Sequence, residues 1–461
     1  MKERILQVLN DLRDYALHKG LEITIYYHEE DSHLIRFANS AISLNTNEHL
    51  IRLEFTAHEG SKRASYGMIT DLSSLDEMKK GIDAACDMVR YAMPLSYKPT
   101  VPVYPEPFID ESGYDEALAA MSSQEKLAFF NRVVEGLETD TLLSSGIISS
   151  GTNTLASVST LAEHPWYVKT SDMQISIVLA HKTFKWEVQA EQSAQQKGDL
   201  DPRKMREELE FLLKHYQEDP SLQLPLGRYN IVFGSAAIAD LLHFMELIGF
   251  NGGLMKRGFS FLKEEDFGKK KFSTHFTVED DPERRETFPF HRDLFGMTRR
   301  RFPFVENGFF KGFYWMQDDA DEFGARPTAH TVPHLSLCMA GGTTPVNTLE
   351  ELSKLPHDTD LLYIPFLHYM NIVNPSNGIV TGSSRFGALL FRKDGSIAIP
   401  YNVRLTQSLL EIFGDGVEWI STGGIAYNTS QSYGARNPTS IVVPPFMQVN
   451  NLEISHSNPT F

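Results

Sequence analysis

Residues 229–258 read YNIVFGSAAIADLLHFMELIGFNGGLMKRG, and this stretch decides how the fold is interpreted. It opens with an apolar run of strand length that ends at a glycine. A segment follows whose apolar positions recur every three to four residues, which is typical of a helix with one buried face. A glycine-rich loop closes the stretch. We therefore predict a buried strand, a turn and a helix over residues 236–248.

The predicted helix also carries a polar stripe, formed by Asp240, His243 and Glu246 at positions i, i+3 and i+6. Carboxylates and histidines at this spacing build metal sites in helical bundles only when other helices supply matching ligands. No second helix of the sequence offers such a set. We interpret the stripe as the solvated side of an amphipathic helix. The opposite, apolar face consists of Ile238, Leu241, Leu242, Met245 and Ile248.

Composition limits the classes of function. The 461 residues carry a net charge of −17, and an acidic surface repels nucleic-acid phosphates, so we expect no direct nucleic-acid binding. Two cysteines are too few for a disulfide framework and indicate a reducing compartment. No apolar run approaches the ~18 residues of a membrane helix. We expect a cytoplasmic protein without a membrane segment, and we interpret the one basic run, residues 299–301, as a solvated loop.

The order of strand and helix signals predicts an α+β protein in three parts. Residues 1–95 suggest an N-terminal α+β domain with antiparallel strands between two helices. Residues 96–223 open with a proline-rich segment and continue as a central strand-rich segment with helices. Residues 224–461 form a glycine- and proline-rich unit of short strands, interpreted as a β-rich C-terminal domain. Strands and helices do not alternate regularly, which argues against a parallel βαβ fold.

Other chemical motifs are absent or weak. The sequence has no P-loop, no dinucleotide-binding glycine pattern after a strand and no G-x-S-x-G elbow. His330, His334 and Cys338 are spaced by four, but Pro333 excludes a regular helix there. On a strand the same side chains lie too far apart for one small ion, so we expect no zinc site. We interpret the acidic run at 318–322 as a charged turn.

Several blocks, taken in order, resemble the TldD/PmbA family, which includes proteins called modulators of DNA gyrase. The match covers most of the chain, and its middle block consists of residues 224–233 and the helix after them. The other blocks are RFANSAI at 36–42, GMITDLS at 67–73, GARPTA at 324–329, GGTTPVNTLEEL at 341–352 and NPSNGIVTGSSRFGA at 374–388. The resemblance implies the family's fold and a place among metallopeptidases that cleave unfolded or precursor peptides.

This chain departs from the family's metal motif. TldD-type members carry His-Glu-x-x-x-His on this helix, where two histidines bind zinc and the glutamate polarises water, and a C-terminal cysteine completes the ligands. Here only His243 matches, because Phe244 and Ile248 occupy the other two positions. Residues 432–440 contain no cysteine. The resemblance therefore implies a TldE/PmbA-like chain without its own zinc, and zinc in a TldD-type partner.

From this we expect a non-catalytic subunit that pairs with a TldD-type subunit, or with a second copy, and helps to hold an unfolded or precursor peptide. We take His243, Glu246, Asn251 and Arg257 as candidate cleft residues around the degenerate motif. Two alternatives stay open. The chain is an independent metallopeptidase whose site combines His243 and Glu246 with a distant histidine (His330, His334 or His368), or it is a regulatory protein that binds gyrase or a toxin.

Overall fold

The protein is described by a computed structural model that covers residues 1–216, 221–430 and 435–458. Its N-terminal half contains five helices and seven strands within the described ranges. In chain order these are α1 (Lys2–Leu17), β1 (Glu22–Ala38), β2 (Ala41–Glu59), β3 (Lys62–Thr70), α2 (Leu75–Tyr91), β4 (Phe108–Gly113), α3 (Glu116–Ala119), α4 (Ser123–Val134), β5 (Leu142–Ser159), β6 (Trp166–His181), β7 (Glu187–Ala194) and α5 (Pro202–His215).

Short strands dominate the C-terminal half. They and the helices between them are β8 (Ser221–Leu222), β9 (Gly227–Gly234), α6 (Ser235–Met245), α7 (Gly252–Lys256), β10 (Val278–Asp280), β11 (Phe302–Glu306), β12 (Phe309–Phe310), α8 (Gln317–Phe323), β13 (Leu337–Met339), α9 (Leu349–Ser353), β14 (Leu361–Ile364), β15 (Phe366–Asn374), β16 (Ile379–Arg385), β17 (Leu389–Phe391), β18 (Ile397–Pro400), β19 (Asn402–Ser408), α10 (Leu409–Ile412), β20 (Val417–Ile420), β21 (Ile425–Asn428), β22 (Ser440–Val443) and β23 (Phe446–Asn458).

One sheet of seven strands organises the N-terminal half. Its order is β3-β2-β1-β5-β6-β4, with β7 also paired to β6, and the pairs are antiparallel except β4 with β6. Alternate residues of β1, such as Ile23, Ile25 and Tyr27, point to one face and are buried together with the apolar sides of α1 and α2. Side chains alternate in direction every two residues along the strand and return to the same face every 3.6 residues along the helices. Each element therefore has one apolar face, and these faces pack together.

Two further sheets build the C-terminal half. A ten-stranded sheet runs β15-β16-β19-β23-β9-β14-β17-β18-β8, with β20 paired to β23, and a six-stranded sheet runs β12-β11-β10-β13-β22-β21. The fold class is α+β, as predicted. The three-part division of the chain stays a prediction, although strands on both sides of residue 95 share the N-terminal sheet. In the described ranges, no helix is long and apolar enough to cross a membrane.

Two local expectations were wrong. Arg299 is not solvated: its side chain is 1% exposed, and its Nη2 donates to both Asp280 carboxylate oxygens at 2.6 and 2.7 Å. Burying that carboxylate requires a cation beside it, which a charge pattern in sequence does not reveal. The acidic run at 318–322 is not a turn, because it lies within α8. Two of its carboxylates, Asp318 and Asp319, instead pair with arginines of other segments.

Candidate functional site

The predicted buried strand and the helix after it form the centre of the C-terminal half. β9 lies between β14 and β23 of the ten-stranded sheet, so both of its edges are paired. α6 begins directly after Gly234, where an added Cβ would lie 2.9 Å from the Tyr363 hydroxyl and 3.1 Å from Pro365 Cα. The glycine therefore lets the chain turn from strand to helix against a neighbouring strand. The apolar face of α6 is buried through Ile238, Leu241, Leu242 and Met245.

The polar stripe of α6 is solvated in one of its three positions. His243 is exposed, whereas Asp240 and Glu246 are half-buried. Burial raises the pKa of Asp240 to about 7 and also raises the pKa of Glu246. The interpretation as a fully solvated face was therefore wrong for the two carboxylates. The polar groups next to them come from distant parts of the chain: Tyr314 beside Glu246 and Glu191 beside Asp240.

One tyrosine joins two of the four candidate residues. The Tyr314 hydroxyl donates to Glu246 Oε1 at 2.5 Å and accepts from Asn251 Nδ2 at 3.0 Å. Burial, followed by the Glu246 carboxylate, raises the pKa of Tyr314 well above its ordinary value, so this hydroxyl stays protonated and can donate. The imidazole of His330 lies 5.5 Å from the tyrosine ring. Tyr314 is the member of the site that sequence reasoning missed, since no motif surrounds it.

The helix changes its hydrogen-bonding pattern at the degenerate motif. Residues Glu246–Phe250 form a π turn, in which bonds run from i to i+5. Such turns occur frequently at functional sites. Ile248, at the family's second histidine position, is 2% exposed and packs in the hydrophobic core, and Phe244 packs against the same core. The two positions that carry a base and a ligand in TldD-type chains therefore point apolar side chains into the protein.

The remaining candidate, Arg257, joins two helices. Its guanidinium donates to Asp319 at 2.8 Å and also to Glu322, and so ties α7 to α8. α7 approaches α8 closely, because a Cβ at Gly253 would lie 2.1 Å from the Asp319 carboxyl carbon. Asn251 begins the same short helix by accepting from the Leu254 amide at 2.9 Å. Arg257 is therefore a link between helices, and Asn251 both caps α7 and contacts the site through Tyr314.

The distant histidines do not complete a ligand set. His330 is buried, with Nε2 3.3 Å from Asp280 Oδ2. His334 Nε2 donates to the carbonyls of Thr287 and Phe288 at 3.1 and 3.0 Å, and burial lowers its pKa to about 4, so it is neutral. His368 is half-buried with its ring 5.0 Å from that of Phe386.

The donor set does not fit catalytic zinc. Within residues 1–216, 221–430 and 435–458, no three His, Cys, Asp or Glu side chains are placed to hold a metal ion. Catalytic zinc takes three protein ligands and an open position, and the degenerate motif offers one imidazole. The TldD-type chemistry therefore has no counterpart among the side chains around His243.

Two carboxyl groups of the N-terminal half also have raised pKa values, and one of them interacts with Asp240. Glu191 on β7 is half-buried, and burial followed by the Asp240 carboxylate raises its pKa to about 8. Burial raises the pKa of Glu208 on α5 to about 7. β7 packs against β21, which also contacts α6. Glu191 and Asp240 come from segments far apart in sequence, so no spacing signals their interaction.

The C-terminal segment that supplies a cysteine in TldD-type chains contains Arg436. Residues 431–434 of this segment lie outside the described residues. The Arg436 guanidinium donates twice to Asp172, at 2.6 and 2.7 Å, and both side chains are nearly fully buried. Its backbone N–H donates to the Glu30 carboxylate, and its carbonyl accepts from His28 Nε2 at 3.0 Å. The segment is thus fastened onto the N-terminal sheet.

A glycine makes room for this contact. At Gly151 on β5, an added Cβ would lie 2.1 Å from the Asp31 carbonyl oxygen and 3.1 Å from Arg436 Nε. Any larger residue would therefore press against the neighbouring strand and the guanidinium together. The sequence of this segment shows that the cysteine is missing. It does not show that an arginine links the two halves of the chain.

Comparisons with known proteins agree with this architecture. A model of the PmbA/TldA metallopeptidase C-terminal domain matches residues 226–456. TldE from Thermococcus kodakarensis superposes with a TM-score of 0.81 at 16% identity, covering 97% of this chain and 100% of that one. A proposed modulator of a DNA gyrase from Thermotoga maritima gives 0.77 at 15% identity, covering 97% and 99%.

A third structure, a proposed modulator of DNA gyrase from Bacteroides thetaiotaomicron, gives a TM-score of 0.74 at 15% identity, covering 97% of this chain and 98% of that one. No curated protein sequence matches. At these identities the structural likeness shows the fold, and the match of the domain model over half of the sequence shows the family. The chain belongs to the TldD/PmbA family and has its metallopeptidase-like fold.

Proposed function

We propose that this chain is a TldE/PmbA-like, non-catalytic subunit that takes part in the processing of unfolded or precursor peptides in the cytoplasm. One observation carries the proposal. The helix of the family motif is retained with His243, but the base and second-ligand positions hold Phe244 and Ile248, both packed against the core. An apolar side chain can neither coordinate zinc nor accept a proton from water.

The C-terminal segment supports the same conclusion. Where a thiolate would complete the ligands of a TldD-type chain, Arg436 forms a buried ion pair with Asp172. A guanidinium is always protonated and offers only donors, so it cannot ligate a cation. Both ends of the family's ligand set have therefore been replaced by groups that stabilise the fold.

If the partner is a TldD-type chain, that chain holds the catalytic metal. If the partner is a second copy of this chain, the dimer has no zinc. We favour the TldD-type partner, because the residues at the motif positions of this chain cannot supply the metal ligands that cleavage by the family requires.

Co-expression with a TldD-type protein of the same organism tests the proposal. We expect the two chains to co-elute in size analysis, the pair to cleave unfolded peptides, and the cleavage to stop when the partner's motif glutamate is changed to glutamine. In this chain, His243→Ala should leave the cleavage by the pair unchanged. The purified chain alone should neither bind stoichiometric zinc nor cleave.

Other results would select the alternatives. Stoichiometric zinc together with cleavage by the purified chain, abolished by His243→Ala, would establish an independent metallopeptidase and overturn the proposal. If affinity purification recovers gyrase subunits and no TldD-type chain, the protein is a regulatory binder instead.

A further inference from the structure

A hollow of about 360 Å³ lies on the sheet where β1, β2 and β3 run side by side. Six of its lining residues belong to two adjacent cross-strand rows: Tyr26, Glu54 and Gly67 in one row, and His28, Arg52 and Ile69 in the next. Gly67 leaves the gap, because a Cβ added there would meet nothing closer than the Leu53 carbonyl oxygen at 4.0 Å. The volume is at the lower end of the range for small-molecule pockets.

The guanidinium of Arg52 has a donor without a partner at this hollow. Its Nη2 donates to Glu30 Oε1 at 2.7 Å. Its Nη1 is buried and, among the described residues, has no hydrogen-bond partner. A buried donor without a partner is unfavourable, so an acceptor that reaches it gains the free energy of that hydrogen bond. The hollow therefore favours a ligand that brings an oxygen to Arg52.

The carboxylate of Glu54 also lacks a strong partner. Within the described ranges it accepts only a long hydrogen bond, at 3.4 Å from Thr56 Oγ1. Tyr26 is its direct cross-strand neighbour. Burial, followed by the Glu54 carboxylate, raises the pKa of Tyr26, so its ring carries no charge. A carboxylate beside an aromatic ring is a suitable environment for an ammonium group, which both attract.

The charges around the hollow favour a cationic ligand. Arg52 and Glu30 neutralise each other, and burial lowers the pKa of His28, so the imidazole is neutral at pH 7. Arg436, whose backbone contacts His28 and Glu30, is neutralised by its own buried ion pair. The uncompensated charge is that of Glu54, which attracts a cation and repels an anion.

We propose that this hollow binds a small primary amine that carries an apolar body and a neutral acceptor oxygen. The ammonium lies between Glu54 and the Tyr26 ring, the oxygen accepts from Arg52, and the apolar body fills the space over Gly67 beside Ile69. Arg52 and Glu54 are two residues apart on one face of a strand, which separates them by roughly 7 Å. An amine and an oxygen a few bonds apart span that distance with a hydrogen bond at each end. The inference does not depend on the proposed function.

Isothermal titration calorimetry of the full chain with phenylalaninol tests the inference. This compound carries a primary ammonium, a hydroxyl oxygen and an apolar ring, and we expect a Kd of about 1 mM or below. N-acetylphenylalaninol lacks the positive charge, and phenethylamine lacks the oxygen. Each should bind about tenfold more weakly or worse, because the first loses its attraction to the carboxylate and the second leaves the buried donor unpaired.

Two matched pairs of variants locate the site. Gly67→Leu fills the hollow without a backbone clash and should weaken phenylalaninol binding by about tenfold or more, whereas Gly198→Leu, where an added Cβ also meets nothing within 4 Å, should not. Glu54→Gln should weaken binding by a similar factor, whereas Glu48→Gln, at another exposed position of β2, should leave it unchanged.

A third variant tests the role of the unpaired donor. Arg52→Lys keeps a cation for Glu30 but removes the second guanidinium nitrogen. Phenylalaninol should then bind no more tightly than phenethylamine, while the binding of phenethylamine itself stays the same. A variant that merely disturbed the fold would weaken both compounds.

Any of three results would overturn the inference: no binding of phenylalaninol up to about 10 mM, equal binding of its N-acetyl derivative, or undiminished binding by Gly67→Leu. A tripeptide that begins with phenylalanine and binds more than about tenfold more tightly than phenylalaninol would also overturn it, because the hollow would then be part of a peptide site. Failure of the pairing with a TldD-type chain would leave these measurements on the purified chain unaffected, so the two proposals fail separately.

Discussion

Replacing Arg436 by methionine should loosen the contact between the two halves of the chain. Methionine keeps most of the apolar stem of the arginine but removes the guanidinium. The two hydrogen bonds to Asp172, at 2.6 and 2.7 Å, and the longer one to Ser149, at 3.4 Å, are lost. Because the Asp172 side chain is 5% exposed, water cannot replace the lost donors.

The size of the effect follows from the burial of this pair. Removing one partner of a buried ion pair costs about 3–5 kcal/mol, because the other charge remains buried without compensation. At an exposed pair the cost would be about 1 kcal/mol or less. Arg203, whose side chain is 76% exposed beside Asp201, provides the matched control. We therefore expect a large loss for Arg436→Met and almost none for Arg203→Met.

The loss should depend on pH. Burial raises the pKa of Asp172, and the Arg436 guanidinium opposes that rise. In the variant the opposing charge is gone, so the folded-state pKa rises further above the unfolded value of about 3.9. An acid with a raised folded-state pKa binds more protons in the folded state, and stability therefore falls as pH increases through that interval. The difference between variant and unmodified chain should be larger at pH 7 than at pH 5.

Urea unfolding followed by tryptophan fluorescence at both pH values measures this free energy. Asp172→Asn is the companion variant, since a neutral amide needs no cation, and adding it to Arg436→Met should recover part of the lost stability. The reasoning would be refuted if Arg436→Met cost less than about 1 kcal/mol at pH 7. A penalty independent of pH, or unchanged in the double variant, would also refute it.

Three further predictions concern the motif helix and the groups around it. Tyr314→Phe removes the hydroxyl that joins Glu246 to Asn251, and thermal unfolding should show a loss of about 1–3 kcal/mol, because the half-buried carboxylate and the buried amide lose their partner. Ile248→His places an imidazole in the core and should lower the urea midpoint without producing zinc binding in metal analysis, since the third ligand, a cysteine, is still missing. Glu191 and Asp240 have raised pKa values of about 8 and 7, so they bind protons on folding, and stability should decrease as pH rises from about 5 to 8. Thermal unfolding at several pH values should show a smaller decrease in stability for Asp240→Asn than for the unmodified chain. An unchanged slope would show that the pKa of Asp240 is not raised in the folded state.

Local patterns in the sequence predict the secondary structure well where short-range chemistry fixes it. Residues 74–77 predict the start of α2, where Ser74 accepts from the Glu77 amide, and Ser122 with Glu125 forms the complete capping box at the start of α4. The short strands predicted for residues 224–461 are confirmed, and β14, β17 and β22 are examples. These signals succeed because caps and alternation act over a few residues. The length of β2 beyond β3 carries no such signal.

The candidate site was predicted in part. The sequence indicates the motif helix and its polar stripe, and it shows which ligands are missing. It does not indicate that Glu246 binds Tyr314, that Arg257 joins two helices, or that Glu191 faces Asp240. Each of these contacts joins segments far apart in the chain, where spacing holds no information.

By itself the sequence determined the fold class, the family resemblance and the absence of a complete metal motif, because residue identity and local periodicity decide these properties. Tertiary structure alone decided which polar groups are buried and what they meet. It placed Arg436 against Asp172 and, among the residues that the structure describes, left residues 41–50 of β2 without an outer strand. The energy of a charge or an unpaired backbone group depends on its distance from water and from partners, and packing sets that distance.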